Sequence, residues 1–316
     1  MTVQPRAPSP ARSSAFLNGR DGGTGVSARA QNSDSQLSQD RISGRLPKMK
    51  CLPPGIRLRP MRVILVCGLA TAFLHAQPQP RIVHVFVALA DNQHQGIVPV
   101  PAVLGNGLDA DRNLYWGSAY GVKTFFKHAS EWTLLSSGQR PKPEILERCV
   151  FKHRTENVYL VADAYRGDEI RQAILDFLDA AAGTSLEKVD FETNSQTVSL
   201  SAGGSANLVA YIGHDGLMDF QLPRLPRQRN DKRRDAIILA CISKSYFAPA
   251  LKNTGANPLV WTTGLMAPEA YTLKSALDGW IAGETSEKIR DRAAGAYARY
   301  QKCSFSAAHR LLVSGW

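Results

Sequence analysis

The sequence lacks the short motifs that mark several common kinds of site. It has no GxxxxGK[ST] phosphate loop, and Gly203-Gly204 lies outside any dinucleotide-binding fingerprint. It also has no HExxH, HxH or Asp-x-His pattern, and its five cysteines include no CxxC pair, so the spacing supports no metal site. Five cysteines are too few for a disulfide scaffold. We therefore expect neither a cofactor nor a bound metal.

Acidic residues are scarce only near the start of the chain. Residues 1–60 carry ten Lys or Arg against three Asp, whereas residues 77–316 carry 27 basic and 24 acidic residues. The first segment is rich in Ser, Gly, Arg and Pro and cannot bury enough surface to offset its ordering entropy. We expect it to be disordered, or an upstream extension from a misassigned start. Because the remainder is nearly balanced, the high pI does not indicate nucleic-acid binding.

No apolar run is long enough to span a bilayer. The longest, residues 63–74, follows Met61-Arg62 and precedes the polar pair Gln77-Pro78. A charged start, an apolar core of about a dozen residues and a small residue before a polar stretch are typical of a secretory signal peptide. We therefore expect a signal peptide at residues 61–76, a secreted or periplasmic protein, and no stable membrane span.

Short apolar runs alternate with amphipathic segments through the rest of the chain. This alternation predicts an α/β three-layer α-β-α sandwich with a mostly parallel central sheet. We expect one domain over residues 81–303 and a C-terminal tail over residues 304–316. The expected strands are residues 82–90, 130–136, 158–162, 208–212, 236–240 and 257–263, and the expected helices are residues 114–128, 144–149, 168–182, 246–252, 270–282 and 286–300. The polar, Gly/Ser-rich residues 184–206 are expected mainly as a loop, with a strand or loop at residues 197–200.

Two consecutive apolar runs end in side chains with nucleophile or base chemistry. Residues 208–212 lead into Gly213-His214-Asp215-Gly216, and residues 236–240 lead into Cys241. Ligands of open α/β sheets bind outside the carboxyl ends of the strands, and neighbouring strands lie about 4.8 Å apart. A His and a Cys at such ends form a candidate base and nucleophile. Backbone N–H groups near Gly216 and at Cys241 are candidates for an oxyanion hole.

These two strand ends resemble those of the caspase-like (clan CD) cysteine peptidases, a group that includes caspases, gingipains, clostripain and CHAT-type domains. The elements after Cys241, a short helix, a strand, a loop and two helices, are similar to those after the CHAT cysteine. The resemblance implies a caspase-like fold, with His214 as general base or thiol-polarising residue and Cys241 as nucleophile. In that family a glycine directly follows the His, whereas here Asp215 intervenes before Gly216. Asp215 is therefore a candidate for orienting His214, or the mark of a non-peptidase variant.

The specificity pocket of that family usually takes a charged side chain of the substrate. Asp91 and Asp163 follow neighbouring apolar runs, where such a pocket would lie, and they would favour Arg or Lys. The alternative is that both carboxylates only cap strand ends and turns. The basic segment 221–235 is likewise either a solvated connection or a proteolytic processing site.

The sequence thus predicts an exported caspase-like cysteine endopeptidase that acts on a peptide or protein through an acyl-enzyme intermediate. One alternative is a catalytically degenerate caspase-fold binding domain. A second is a metal-dependent hydrolase, and the oligomeric state stays open. The side chains that the metal alternative would use are Asp91, His94, Asp163, Asp168, His214 and Asp215.

Overall fold

A computed structural model describes residues 79–193 and 196–316. The extension at residues 1–60 and the predicted signal peptide at residues 61–76 lie outside the described residues. Within the described part of the chain, no helix is both long and apolar enough to cross a bilayer.

An eight-stranded mixed sheet and a separate two-stranded hairpin make up the β structure. The large sheet has the order β10-β9-β8-β7-β1-β4-β3-β2, and the hairpin pairs β5 with β6. Neighbours from β9 through β8, β7 and β1 to β4 run parallel, while β2, β3 and β10 are antiparallel to their neighbours. The strands are β1 Arg81–Ala88, β2 Trp132–Gln139, β3 Ile145–His153, β4 Val158–Tyr165, β5 Leu186–Thr193, β6 Gln196–Gly203, β7 Leu208–Ile212, β8 Asp235–Leu239, β9 Asn257–Thr262 and β10 Leu312–Val313.

Helices cover both faces of the sheet, so the chain forms the predicted α/β sandwich. One face packs against α1, α4 and α5, and the other packs against α2 and α3. β1 shows why the parallel strands read as continuous apolar runs: Val83 and Val85 face the first core, while Ile82 and Phe86 face the second. The helices are α1 Val122–His128, α2 Ile170–Ala182, α3 Ser243–Thr254, α4 Ala270–Ile281, α5 Ser286–Gln301 and α6 Phe305–Leu311.

The order of the parallel strands creates a crevice at one edge of the sheet. From β1 the chain passes to β4 on one side and then returns to β7 on the other side. The segments that follow β1 and β7 therefore diverge, and in open α/β sheets ligands bind at such a switch point. The segments after β8 and β9 open at the same edge.

Several elements differ from those predicted. The helix expected at residues 114–128 is only α1, because residues 102–121 form successive turns. The polar stretch 184–206, expected mainly as a loop, is the hairpin β5–β6, which pairs exposed residues on one face and buries Val189 and Leu200 on the other. The expected C-terminal tail folds as α6 and β10. β10 pairs with β9, so residues 304–316 complete the sheet rather than trail from it.

Asp163 lies in a buried network of charges beneath the hairpin and not in a specificity pocket. Its carboxylate accepts two hydrogen bonds from Arg148, each 2.6 Å long, and one of 3.0 Å from His84 Nε2. Arg148 also pairs with Glu187 of β5 at 2.5 Å. Burial alone would raise the pKa of Asp163, but Arg148 and His84 together lower it to about 2. These contacts favour a structural role for Asp163, which is the alternative to substrate selection that the sequence left open.

Replacing Arg148 by Met should lower the free energy of unfolding by about 3–5 kcal/mol, because Asp163 would keep its charge in the core without its main partner. Urea denaturation of the purified protein measures this change. Arg292→Met is the matched control, since Arg292 pairs with Glu284 at the surface, where ion pairs contribute little. Equal losses in the two variants would contradict the structural role of the Arg148–Asp163 pair.

Candidate functional site

His214 leaves the sheet through a conformation that requires glycine. Gly213 follows the last residue of β7 and has φ +152°, and a Cβ there would lie 2.9 Å from the carbonyl oxygen of Ala88. The Gly213 N–H donates to Leu239 O of β8 at 3.3 Å, and the Tyr211 hydroxyl donates to His214 O at 2.7 Å. These bonds fix the backbone of His214 against β8 and against the end of its own strand, β7.

The carboxylate that orients His214 belongs to Asp219, a residue that the sequence reasoning did not single out. Asp219 Oδ2 accepts from His214 Nε2 at 2.6 Å and from the Gly96 N–H at 3.3 Å. The 3-10 turn Gly216–Met218 reverses the chain after His214 and brings the two side chains together. The imidazole itself is buried, whereas Asp219 is partly exposed. The only available signal was a spacing of five residues, which is common in loops without any contact.

Asp215, predicted to orient His214, instead caps the turn that follows. Its Oδ1 accepts from the Leu217 N–H at 3.1 Å, and its Oδ2 has no hydrogen-bond partner within the described residues although the side chain is fully buried. Burial raises the pKa of Asp215 to about 7, and the negative charge of Asp219 adds to the increase, against the lowering effect of the Leu217 N–H. The geometry therefore assigns the orienting role to Asp219 and leaves Asp215 as a buried, half-satisfied carboxyl group.

Cys241 lies on a sharp turn between β8 and α3. The next residue, Ile242, adopts a left-handed conformation with φ 51° and ψ 28°. A β-branched residue is rare there and costs on the order of 1–3 kcal/mol. Its N–H donates to Gly264 O at 2.9 Å, which ties the turn to the segment after β9. A strained strand-to-helix turn that presents a side chain at the sheet edge is typical of residues held for chemistry.

A pair of hydroxyl side chains holds this turn in place. Ser243 Oγ donates to Ile238 O at 3.1 Å and accepts from the Thr262 N–H at 3.0 Å. Thr262 Oγ1 accepts from the Ser243 N–H at 3.1 Å and donates to Ala240 O. Both side chains are completely buried. The Ser243–Thr262 pair thus joins the ends of β8 and β9 directly behind Cys241.

His214 and Cys241 line one cavity of about 300 Å³ at the carboxyl edge of the sheet. All of its walls come from the segments that follow β1, β7, β8 and β9. The remaining lining residues are Gly96, Ile97, Val98, Val100, Leu114, Tyr115, Gly213, Met218, Leu265, Met266, Ala267, Pro268 and Glu269. A larger cleft of about 740 Å³ lies among α1, α4 and α5, but neither His214 nor Cys241 lines it.

The resting thiol is held in its neutral form. Burial raises the pKa of Cys241, and the Asp215 carboxylate adds to this effect, while the Met266 N–H lowers it. That N–H lies 3.4 Å from Sγ, and Sγ lies 3.6 Å from Met266 O. Formation of a thiolate here requires a base or a positive charge at the sulfur, and His214 is the candidate in the same cavity.

Two further predicted site groups, the Gly216 N–H and the Asp91 carboxylate, are already engaged in turns. The Gly216 N–H donates to His214 O at 3.1 Å, so it serves the turn and not the cavity. Asp91 accepts from the Gln93 and His94 N–H groups and pairs with His94 Nδ1 at 2.9 Å, as a turn-capping residue does. Asp91 is absent from the cavity wall. The N–H of Cys241 stays a candidate oxyanion donor by its position at the turn.

The metal alternative gains no support from the geometry. Among the described residues, the one group of three or more metal-ligating side chains is His84, Asp163 and Glu187. Arg148 bonds to both carboxylates of that group and supplies the positive charge that a metal ion would. Of the residues named for a metal hydrolase, only Asp163 belongs to this group.

Asp215 should give the protein a stability that falls as pH rises from about 4 to about 7. Because its pKa is raised in the native state, the folded protein binds more protons than the unfolded chain in this window. Asp215→Asn removes this titration, so its unfolding free energy should decline less, by on the order of 1–4 kcal/mol, between pH 4 and pH 8. Urea denaturation at several pH values measures the slope. Identical slopes for the two proteins would show that the carboxyl is not held protonated.

Comparison with known proteins identifies no family for this chain. No family model matches the chain, and searches of curated proteins and of solved structures give no significant match.

Proposed function

We propose that this chain is a caspase-like cysteine peptidase that cleaves a peptide bond with His214 and Cys241. The observation that carries this proposal is that the two side chains, placed at the ends of the adjacent parallel strands β7 and β8, line the same cavity. Asp219 on His214 and the strained turn at Ile242 add an orienting acid and a fixed presentation of the sulfur. These are the parts that nucleophilic catalysis by a thiol needs.

The chemistry follows from these roles. His214 accepts the thiol proton, and the sulfur lone pair of Cys241 forms a bond to the carbonyl carbon of the substrate. The tetrahedral intermediate collapses as the C–N bond breaks, and the imidazolium gives its proton to the departing amine. A water molecule, deprotonated by His214, then attacks the thioester, and breakage of the C–S bond releases the acid and regenerates the thiol. Asp219 stabilises the imidazolium in both halves of the cycle.

The caspase-like assignment has support at two levels. The motif Gly213-His214 after one strand and Cys241 after the next is similar to that of the family. Across the sheet the parallel strands lie in the order β4-β1-β7-β8-β9. His214 follows β7 and Cys241 follows β8. Export of the protein rests on the signal-like pattern of residues 61–76.

A second candidate function is a binding domain of the same fold without turnover. It is favoured by the Gly216 N–H, which is engaged within its own turn and not directed at the cavity. The insertion of Asp215 accounts for this, because it adds a residue between the His and the glycine that would otherwise follow it. The two functions differ in whether Cys241 reacts.

Peptides that carry a thiol-reactive acyloxymethyl ketone should label the wild-type protein at Cys241 and leave Cys241→Ala unlabelled. Mass spectrometry of the intact protein and of its tryptic peptides reads the site and the extent. Cys303→Ser is the matched control, because Cys303 is exposed and should be modified by iodoacetamide but contribute nothing to peptide-dependent labelling. Absence of peptide-dependent labelling at Cys241 would exclude the peptidase and favour the binding domain.

Asp219→Asn should lower kcat by roughly 10- to 1000-fold with little change in KM, because it weakens the positioning of the general base and not the contact with substrate. Asp219→Glu should recover part of the loss, since a longer carboxylate can still reach Nε2. Steady-state kinetics on the best peptide substrate provide both constants. Asp231→Asn, at an exposed acid in the loop before β8, is the control. Unchanged kcat in Asp219→Asn would remove Asp219 from the mechanism.

A further inference from the structure

The cavity beside Cys241 is lined mostly by apolar side chains. Nine of its fifteen lining residues are Ile, Val, Leu, Met, Ala or Pro, and none is Lys or Arg. An acidic side chain of a substrate would therefore find no lysine or arginine to pair with in the lining. A cavity of about 300 Å³ is at the small end of the range for ligand sites, so it suits one side chain better than a larger ligand.

The mouth of the same cavity carries unusually exposed apolar side chains. Val98 is 82% exposed, Leu265 is 69% exposed and Met218 is 39% exposed, and all three also line the cavity. They come from three separate segments, after β1, β9 and β7. Exposed apolar side chains that converge from separate segments on one opening mark a binding surface, because a soluble protein gains nothing from leaving them in water.

Glu269 is the one acidic residue in the lining, and its carboxyl group is already engaged. Its Oε2 accepts from the Tyr271 hydroxyl at 2.7 Å and from Gln301 Nε2 at 3.1 Å. Burial raises its pKa, against the lowering effect of these two hydrogen bonds. Its backbone forms the N-cap of α4. The ring of Tyr271 stacks on that of Tyr300, with the ring centroids 4.2 Å apart. Glu269 therefore uses Oε2 in the packing of α4 on α5, and apolar side chains make up the larger part of the cavity lining.

We infer that the cavity selects a large apolar side chain, of the size of Leu, Met or Phe, on the acyl side of the bond that Cys241 attacks. This inference rests on the proposed function, and it replaces the basic preference that the sequence predicted from Asp91 and Asp163. The selecting residues are those at the mouth, Val98 and Leu265, together with Met266 and Pro268 deeper in the wall.

The test is a set of fluorogenic peptides that differ only in the residue before the scissile bond: Leu, Met, Phe, Ala, Lys, Arg and Asp. We expect kcat/KM for Leu, Met or Phe to exceed that for Ala by about 10- to 200-fold, the discrimination that an apolar pocket achieves. The three charged peptides should rank below Ala. Preference for Lys or Arg that is lost in Glu269→Gln would overturn the inference and make Glu269 the partner of a cation.

A variant at the mouth of the cavity tests whether Leu265 contributes to the preference for apolar side chains. Leu265→Asp should lower kcat/KM for the Leu peptide at least tenfold and reduce its advantage over Ala, because it places a charge beside the bound side chain. Leu186→Asp is the matched control, since Leu186 is 67% exposed on the hairpin and distant from the cavity lining. Equal kinetics in Leu265→Asp and Leu186→Asp would place the selecting surface elsewhere.

Failure of catalysis and failure of selectivity give different results. If no peptide is turned over by the wild-type protein, the peptidase proposal fails, and binding of the same peptides to Cys241→Ala by titration calorimetry then decides the inference. Tighter binding of the Leu peptide than of the Ala and Lys peptides, weakened by Leu265→Asp, would support an apolar-selective cavity in a binding domain. Equal or absent binding of all peptides would overturn it.

Discussion

The parallel pairing of β7 with β8 is the constraint on which the candidate site depends. The register places Ile212 opposite Leu239, so the chain leaves both strands at the same level of the sheet. Parallel strands lie about 4.8 Å apart, so residues just beyond such a pair must share the same edge. Both strands are buried on both faces, so a slip in register would misplace every core side chain. The hydrophobic core thus fixes the relative position of His214 and Cys241 before either makes a contact of its own.

Two unusual backbone conformations, at Gly213 and Ile242, complete this placement. Gly213 carries a φ that side chains avoid, and Ile242 adopts a left-handed conformation despite its branched Cβ. Hydrogen bonds hold both residues in place. The Gly213 N–H donates to Leu239 O, and the Ile242 N–H donates to Gly264 O beside the Ser243–Thr262 pair. Strain that persists under such support is concentrated at functional sites. Here the strained residue, Ile242, adjoins Cys241, and Gly213, whose conformation only glycine adopts readily, adjoins His214.

The sequence predicted the layer order, all five parallel strands and the two strand-end residues, because buried parallel strands are continuous apolar runs that can be read without any tertiary knowledge. It failed where a contact depends on another element. Asp163 looked free at a strand end, but Arg148 comes from β3, whose first residues were expected to be helical. Asp219 was missed because a 3-10 turn, which has no apolar periodicity, brings it to His214.

In the proposed peptidase, the apolar cavity has opposite effects on the sulfur and on the substrate. Apolar walls raise the pKa of Cys241, which keeps the thiol unreactive in water. The same walls favour entry of an apolar side chain, which would expel the remaining water from around His214 and the sulfur. In a drier site the attraction between thiolate and imidazolium is stronger. Asp219, which is partly exposed, holds the buried imidazole through its hydrogen bond to Nε2. Reactivity would then depend on occupancy, so that selection of the substrate and activation of the thiol arise from one set of apolar residues.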